Sequence, residues 1–144
     1  MGRPPAETLP AAVNQFCAVV LAEYPLMKQD LQRLEEQRRD IAESYPLASW
    51  GDGGKRSGAI NDRTASAAFR LLRLDTVWVK TRFYVQAVDD LMAYLKPDQA
   101  RLVELHFFKG YPAWKVQELQ HIGKTTFYEQ RQIILALLAN RLGL

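Results

Sequence analysis

Apolar residues recur at alternating intervals of three and four along most of the chain, which is the spacing of one helical face. The longest run has one polar member and comprises Leu71, Leu74, Trp78, Thr81, Val85, Val88, Met92 and Leu95. It predicts a helix from about Thr64 to Leu95. Residues 76–85 are rich in β-forming side chains, so a hairpin is the competing interpretation. Because no glycine, proline, asparagine or aspartate interrupts that stretch, we expect the helix and an all-α fold.

Two shorter apolar stripes precede this helix. The first comprises Leu9, Val13, Phe16 and Val20, and the second comprises Met27, Leu31, Leu34, Arg38, Ile41 and Tyr45. Pro25 lies between them and lacks an N–H group, so we expect the helix to break or restart there. The second stripe is narrow with charged flanks, and it can pack within the chain or against a second copy.

A glycine-rich segment separates the N-terminal helices from the rest of the chain. It holds four of the eight glycines, which favours a loop because glycine loses much conformational entropy on folding. The predicted organisation is an N-terminal helical and oligomerisation segment (1–50), a glycine-rich loop (51–60), a long central helix (61–96) and a C-terminal DNA-binding domain (97–144). The long stripes favour a homo-oligomer assembled through the N-terminal and central helices.

The last third of the chain contains residues that typically start and stop short helices. Pro97 ends the central helix and suits the first turn of the next one, which Lys109-Gly110 stops. Pro112 opens another short helix, and His121-Ile122-Gly123 separates it from a last helix running from Lys124 to Leu142. Two helices joined by about three residues have the spacing of a helix-turn-helix, whose second helix enters the DNA major groove.

The start of that last helix carries side chains suited to DNA. Phe127 is expected to point inward. Lysine and hydroxyl groups bind phosphate, glutamine can pair with adenine, glutamate can accept from cytosine, and the threonine methyl packs on thymine. The candidate DNA-binding residues are Lys115, Lys124, Thr125, Thr126, Tyr128, Glu129, Arg131 and Gln132. A plain helical hairpin with a solvated polar side is the alternative, and the usual small residue four positions before the turn glycine is absent.

Composition and charge limit the classes of protein to which the chain can belong. The chain is 48% hydrophobic and 24% charged, which is the balance of a globular protein. It has one cysteine, no apolar run near the roughly 20 residues of a membrane span, and no signal-peptide layout, so we expect a cytoplasmic protein without a membrane partner. A net charge of +3 permits nucleic acid as a partner but is a weak electrostatic signal.

We find no pattern typical of an enzyme, cofactor or metal site. Gly54-Lys55 lacks the remaining residues of a phosphate-binding loop. His106 and His121 are isolated from other metal-ligand types, and Asp89-Asp90 are adjacent, so they point apart on a helix. Cys17 has no neighbouring base and is expected to be a small core residue.

Several stretches resemble the phage late-gene transcriptional regulators of the RinA/ArpU type, whose C-terminal half is similar to region 4 of bacterial sigma factors. They are residues 91–114, 123–132 and 136–144, with Tyr24-Pro25 and the link from Ser57 to Ala68 upstream, so the resemblance covers about residues 20–144. It implies a DNA-binding regulator encoded by a phage or prophage that acts on late, packaging or lysis genes in a bacterial cell. Contact with the host RNA polymerase is left open by it.

Two other functions fit the same pattern. A small terminase subunit of a phage packaging machine also joins a helix-turn-helix to long oligomerising helices, but such subunits usually place the DNA-binding part first. A helical adaptor that binds only proteins would present Lys124, Thr125 and Arg131 as ordinary surface. We expect a sequence-specific transcriptional regulator, with double-stranded DNA as its partner.

Overall fold

The computed structural model describes residues 9–44 and 62–144, and every regular element within these two ranges is helical. In chain order they are α1 (Ala11–Ser44), α2 (Asp62–Tyr94), α3 (Pro97–Val103), a π-helical turn (Glu104–Phe108), α4 (Ala113–Gln120) and α5 (Lys124–Arg141). The all-α expectation is confirmed, and residues 76–85 are helical rather than a hairpin. The predicted loop 51–60 and Tyr45 lie outside the described residues.

Helix α1 differs from the prediction at Pro25, which lies inside one continuous helix and does not break it. A proline at this position cannot donate to the carbonyl of Leu21, so one helical hydrogen bond is lost. Tertiary packing offsets that loss at the same turn. The Leu21 side chain is fully buried, and Tyr24 donates its hydroxyl to Asp89 of α2 and stacks on Phe108 with ring centroids 5.0 Å apart.

The chain divides into two units that are described separately. The C-terminal unit combines the chain up to Met27 with Phe83–Leu144, and the hairpin unit is Lys28–Arg82. Within the C-terminal unit, α1 buries Cys17, as expected for a small core residue, together with Val20 and Leu21. Phe16 of the first predicted stripe is 41% exposed instead, and its ring meets Tyr84 edge to face.

In the hairpin unit, α1 packs antiparallel to α2. The described part of the second stripe therefore packs against the same chain. Leu34 is buried, and Arg38 pairs with Asp75 and lies over the Trp78 ring, 4.7 Å from its centroid. Trp78 in turn donates its indole N–H to Glu35 at 3.4 Å. Arg38 interrupts the apolar stripe in the sequence, but its guanidinium covers the aromatic face that an apolar residue would otherwise cover.

The short helices of the C-terminal unit begin and end where the sequence predicts. Pro97 opens α3, and the backbone N–H of Lys96 before it donates to the Gln99 side chain at 3.1 Å. The chain then turns at Gly110, whose positive φ of 76° is inexpensive only for glycine. The side chains that form the core of this unit are Val88, Leu91, Leu102, Val103, Leu105, Val116, Phe127, Ile134, Leu135 and Leu138.

Across residues 9–44 and 62–144, no helix combines the length and the apolar character needed to cross a membrane.

Candidate nucleic-acid interface

The turn between α4 and α5 is built by the backbone of three residues. His121 adopts the left-handed conformation with φ 56° and ψ 45°, and it ends α4. The N–H of Ile122 donates to the carbonyl of Gln117 at 3.0 Å, which is the six-residue hydrogen bond of a Schellman cap. Gly123 is extended and serves as the N-cap of α5, with its carbonyl accepting from the N–H of Phe127 at 3.0 Å. The left-handed residue is therefore the histidine and not the glycine.

Phe127 anchors the start of α5 and is fully buried, as the sequence predicts. Its ring meets His106 edge to face with centroids 5.1 Å apart and meets Tyr128 in the same manner at 5.0 Å. Ile134 and Leu138 continue the same buried side of the helix. With this side fixed, the opposite side of the first two turns faces outward.

The outward side of α5 carries three of the predicted DNA-binding residues. Thr125 and Glu129 are exposed and Gln132 is half-buried, and their i, i+4, i+7 spacing places them along one face. Lys124, the first residue of α5, is also exposed, and so is Tyr128 beside it. Hydroxyl, carboxylate, amide and ammonium groups are thus grouped within the first nine residues of α5.

Arg131 occupies a different environment from the other candidates. Its guanidinium lies 5.4 Å from the ring centroid of Phe107, and its Nε donates to Nε2 of His106 at 3.4 Å. Nδ1 of the same imidazole donates to the carbonyl of Tyr111 at 2.9 Å, so one neutral tautomer satisfies both contacts. Burial lowers the pKa of Arg131. Burial also lowers the pKa of His106, and the nearby positive charge of Arg131 lowers it further. No pattern along the chain predicts this contact, because the two residues are 25 positions apart.

Lys115 and Thr126 are the remaining predicted DNA-binding residues. Lys115 of α4 is half-buried with its ammonium 4.2 Å from the Tyr111 ring centroid. Thr126 is exposed and lines a cleft of about 620 Å³ that also touches α3 and α4. Gln120 borders this cleft and donates its amide to the carbonyl of Asp98 at 3.0 Å, while its buried Oε1 has no hydrogen-bond partner. The cleft is therefore distinct from the strip that holds Thr125 and Glu129.

The charge of this region is low. Residues 97–144 hold six lysines and arginines against four acidic residues, a net charge of +2. Among the described residues, no three His, Cys, Asp or Glu side chains come together in a way that could hold a metal ion.

Comparisons of the chain with protein-family models, curated proteins and solved structures found no match.

Proposed function

We propose that the chain is a sequence-specific DNA-binding transcriptional regulator that uses α4, the turn 121–123 and α5 as a helix-turn-helix. The observation that carries the proposal is the division of α5 into two sides. Phe127 is fully buried on one side, and the first two turns present Thr125 and Glu129 outward on the other. A helix that is fixed in this way at its N-terminal end can present base-reading side chains to a major groove.

Within this proposal the side chains divide into two classes. Lys124 at the first position of α5 contacts a phosphate, because an ammonium at the end of a flexible stem suits that role and the helix N-terminus favours an anion. Thr125, Glu129 and Gln132 lie on the outward face and contact base edges. Arg131 contacts phosphate only after it leaves the Phe107 ring and His106, so its contribution is smaller than that of Lys124.

The resemblance to the RinA/ArpU-type regulators extends the proposal to the genes involved. It favours a phage or prophage protein that controls late, packaging or lysis genes, with a region similar to sigma factor region 4 as the DNA-binding part. The genes that flank this one would test that extension, since terminase, portal or lysis genes are expected beside it.

The direct test measures DNA affinity by fluorescence anisotropy on sites selected from random sequence, at two salt concentrations. The parent chain should bind a selected site at least about 1,000-fold more tightly than random DNA. Lys124→Ala should weaken binding to the selected site and to random DNA to a similar degree. It should also lower the slope of log affinity against log salt concentration by about one unit. Arg70→Ala, which removes one positive charge from an exposed side chain of α2, is the matched control and should leave the slope unchanged.

The base-contacting class has its own test. Gln132→Ala or Thr125→Ala should cost about 1–3 kcal/mol on the selected site and little on random DNA. An adaptor that binds only proteins would yield no selected site. If the folded Lys124, Thr125 and Gln132 variants all bound like the parent, α5 would not be the reading helix and the proposal would be wrong.

A further inference from the structure

The hairpin unit leaves an apolar strip of α2 uncovered on the side away from α1. Phe69, Leu72 and Val79 are 67%, 64% and 58% exposed, and Thr76 between them is exposed as well. We call these four residues the outer stripe. They do not belong to the run predicted to form the seam of an oligomer, since Leu71, Leu74 and Trp78 of that run are each partly covered within the unit.

The spacing of the outer stripe is the spacing of a coiled-coil seam. Its members follow one another at intervals of three, four and three, so Phe69 and Thr76 take the a positions and Leu72 and Val79 the d positions of a heptad. Such a stripe is complementary to another copy of itself. We propose that it is the seam of a parallel, in-register homodimer.

The exposed area is of the size that a seam requires. The solvent-exposed apolar area of Phe69, Leu72 and Val79 is about 350 Å² in total, from the areas of such side chains and their exposed fractions. Patches of roughly 300–600 Å² on a monomer are often functional. Two copies contribute about 700 Å² from these residues, and the stems of the flanking Arg73 and Lys80 bring the total toward the roughly 1,000 Å² that a specific interface needs.

The flanking charges select the parallel orientation. In a parallel pair, a g position faces the next e position of the partner, which places Asp75 beside the partner's Lys80 on both sides of the seam. In an antiparallel pair that matches the outer stripe end to end, Arg73 faces the partner's Arg73 and Asp75 faces the partner's Asp75. Like charges meet on both flanks of that arrangement, so it is disfavoured. Asp75 also pairs with Arg38 of its own chain, but 39% of its side chain stays exposed.

The first test measures the mass of the full chain by light scattering. At about 50 µM we expect a dimer, twice 16.5 kDa or about 33 kDa. Val79→Glu should raise the dimer dissociation constant by about 100-fold or more, because it places a charge in the seam. Val77→Glu is the matched control, since Val77 is also an exposed valine of α2 but lies off the stripe. It should leave the dimer intact.

The second test fixes the orientation. In a chain whose Cys17 is replaced by alanine, Thr76→Cys should form an intermolecular disulfide under mild oxidation, because Thr76 faces its own counterpart only in the parallel, in-register pair. Val77→Cys should not crosslink. Circular dichroism of each variant confirms that it is folded.

Three results would overturn the inference: a monomer mass for the parent, equal disruption by Val79→Glu and Val77→Glu, or a dimer in which Thr76→Cys does not crosslink. If Val79→Glu instead lowered the thermal stability of a monomer, the stripe would be covered by the same chain. None of these readouts involves DNA, so a failure here is distinct from a failure of the proposed function.

Discussion

Replacement of Phe127 by alanine tests whether the buried side of α5 positions its outward face. Phe127 is the largest of the fully buried side chains and has ring contacts to His106 and Tyr128. Its removal loses the transfer free energy of the ring and leaves a cavity, which together cost about 3–5 kcal/mol of unfolding free energy. For a chain of this length the melting temperature should fall by about 10–17 °C.

Chemical denaturation followed by circular dichroism measures this loss directly. Tyr128→Ala is the matched control, since Tyr128 is the adjacent aromatic residue but is 48% exposed, and it should cost no more than about 0.5 kcal/mol. Phe127→Leu, which keeps most of the volume, should remain folded at room temperature and retain DNA affinity. A cost below about 1 kcal/mol for Phe127→Ala would refute the role of Phe127 as the anchor of α5.

Three further predictions concern the same unit. Burial and the Arg131 charge lower the pKa of His106 in the folded chain, so unfolding takes up a proton. The free energy of unfolding should therefore have its full value above about pH 6.5 and decrease as the pH falls below it. His106→Gln should reduce this pH dependence, as measured by denaturation at several pH values. His121→Gly should raise the melting temperature or leave it unchanged because it relieves a left-handed non-glycine residue, while Gly110→Ala should destabilise by about 1 kcal/mol.

The helices could be predicted because each of them follows from a local pattern. The interval of three and four identified α2 from Leu71 onward, and proline or glycine marked the ends of the shorter helices correctly. Pro25 was the exception. The rule that proline breaks a helix describes an isolated helix, and here the buried Leu21 and the contacts of Tyr24 supply the stability that the missing hydrogen bond removes.

The surroundings of the candidate site could be predicted only in part. That Phe127 is buried follows from its place on the apolar stripe of α5. The contact of Arg131 with His106 and Phe107 does not follow from any pattern, because it depends on how the π-helical turn packs against α5. The identity of the left-handed residue was equally hidden, since glycine is the usual choice and the sequence offers Gly123 two positions after His121.

Charge links the two proposals. Of the three cationic residues among the candidates, Lys115 and Arg131 already contact aromatic rings, and Lys124 is exposed. One copy would then release few counterions, and its affinity would depend only weakly on salt. Two copies joined through the outer stripe would double the phosphate contacts and bind two half-sites as one unit, so the second contact becomes intramolecular. If both proposals hold, this low charge per chain gives a physical reason for a dimer, and the salt slope on a paired site should be about twice that on a single half-site.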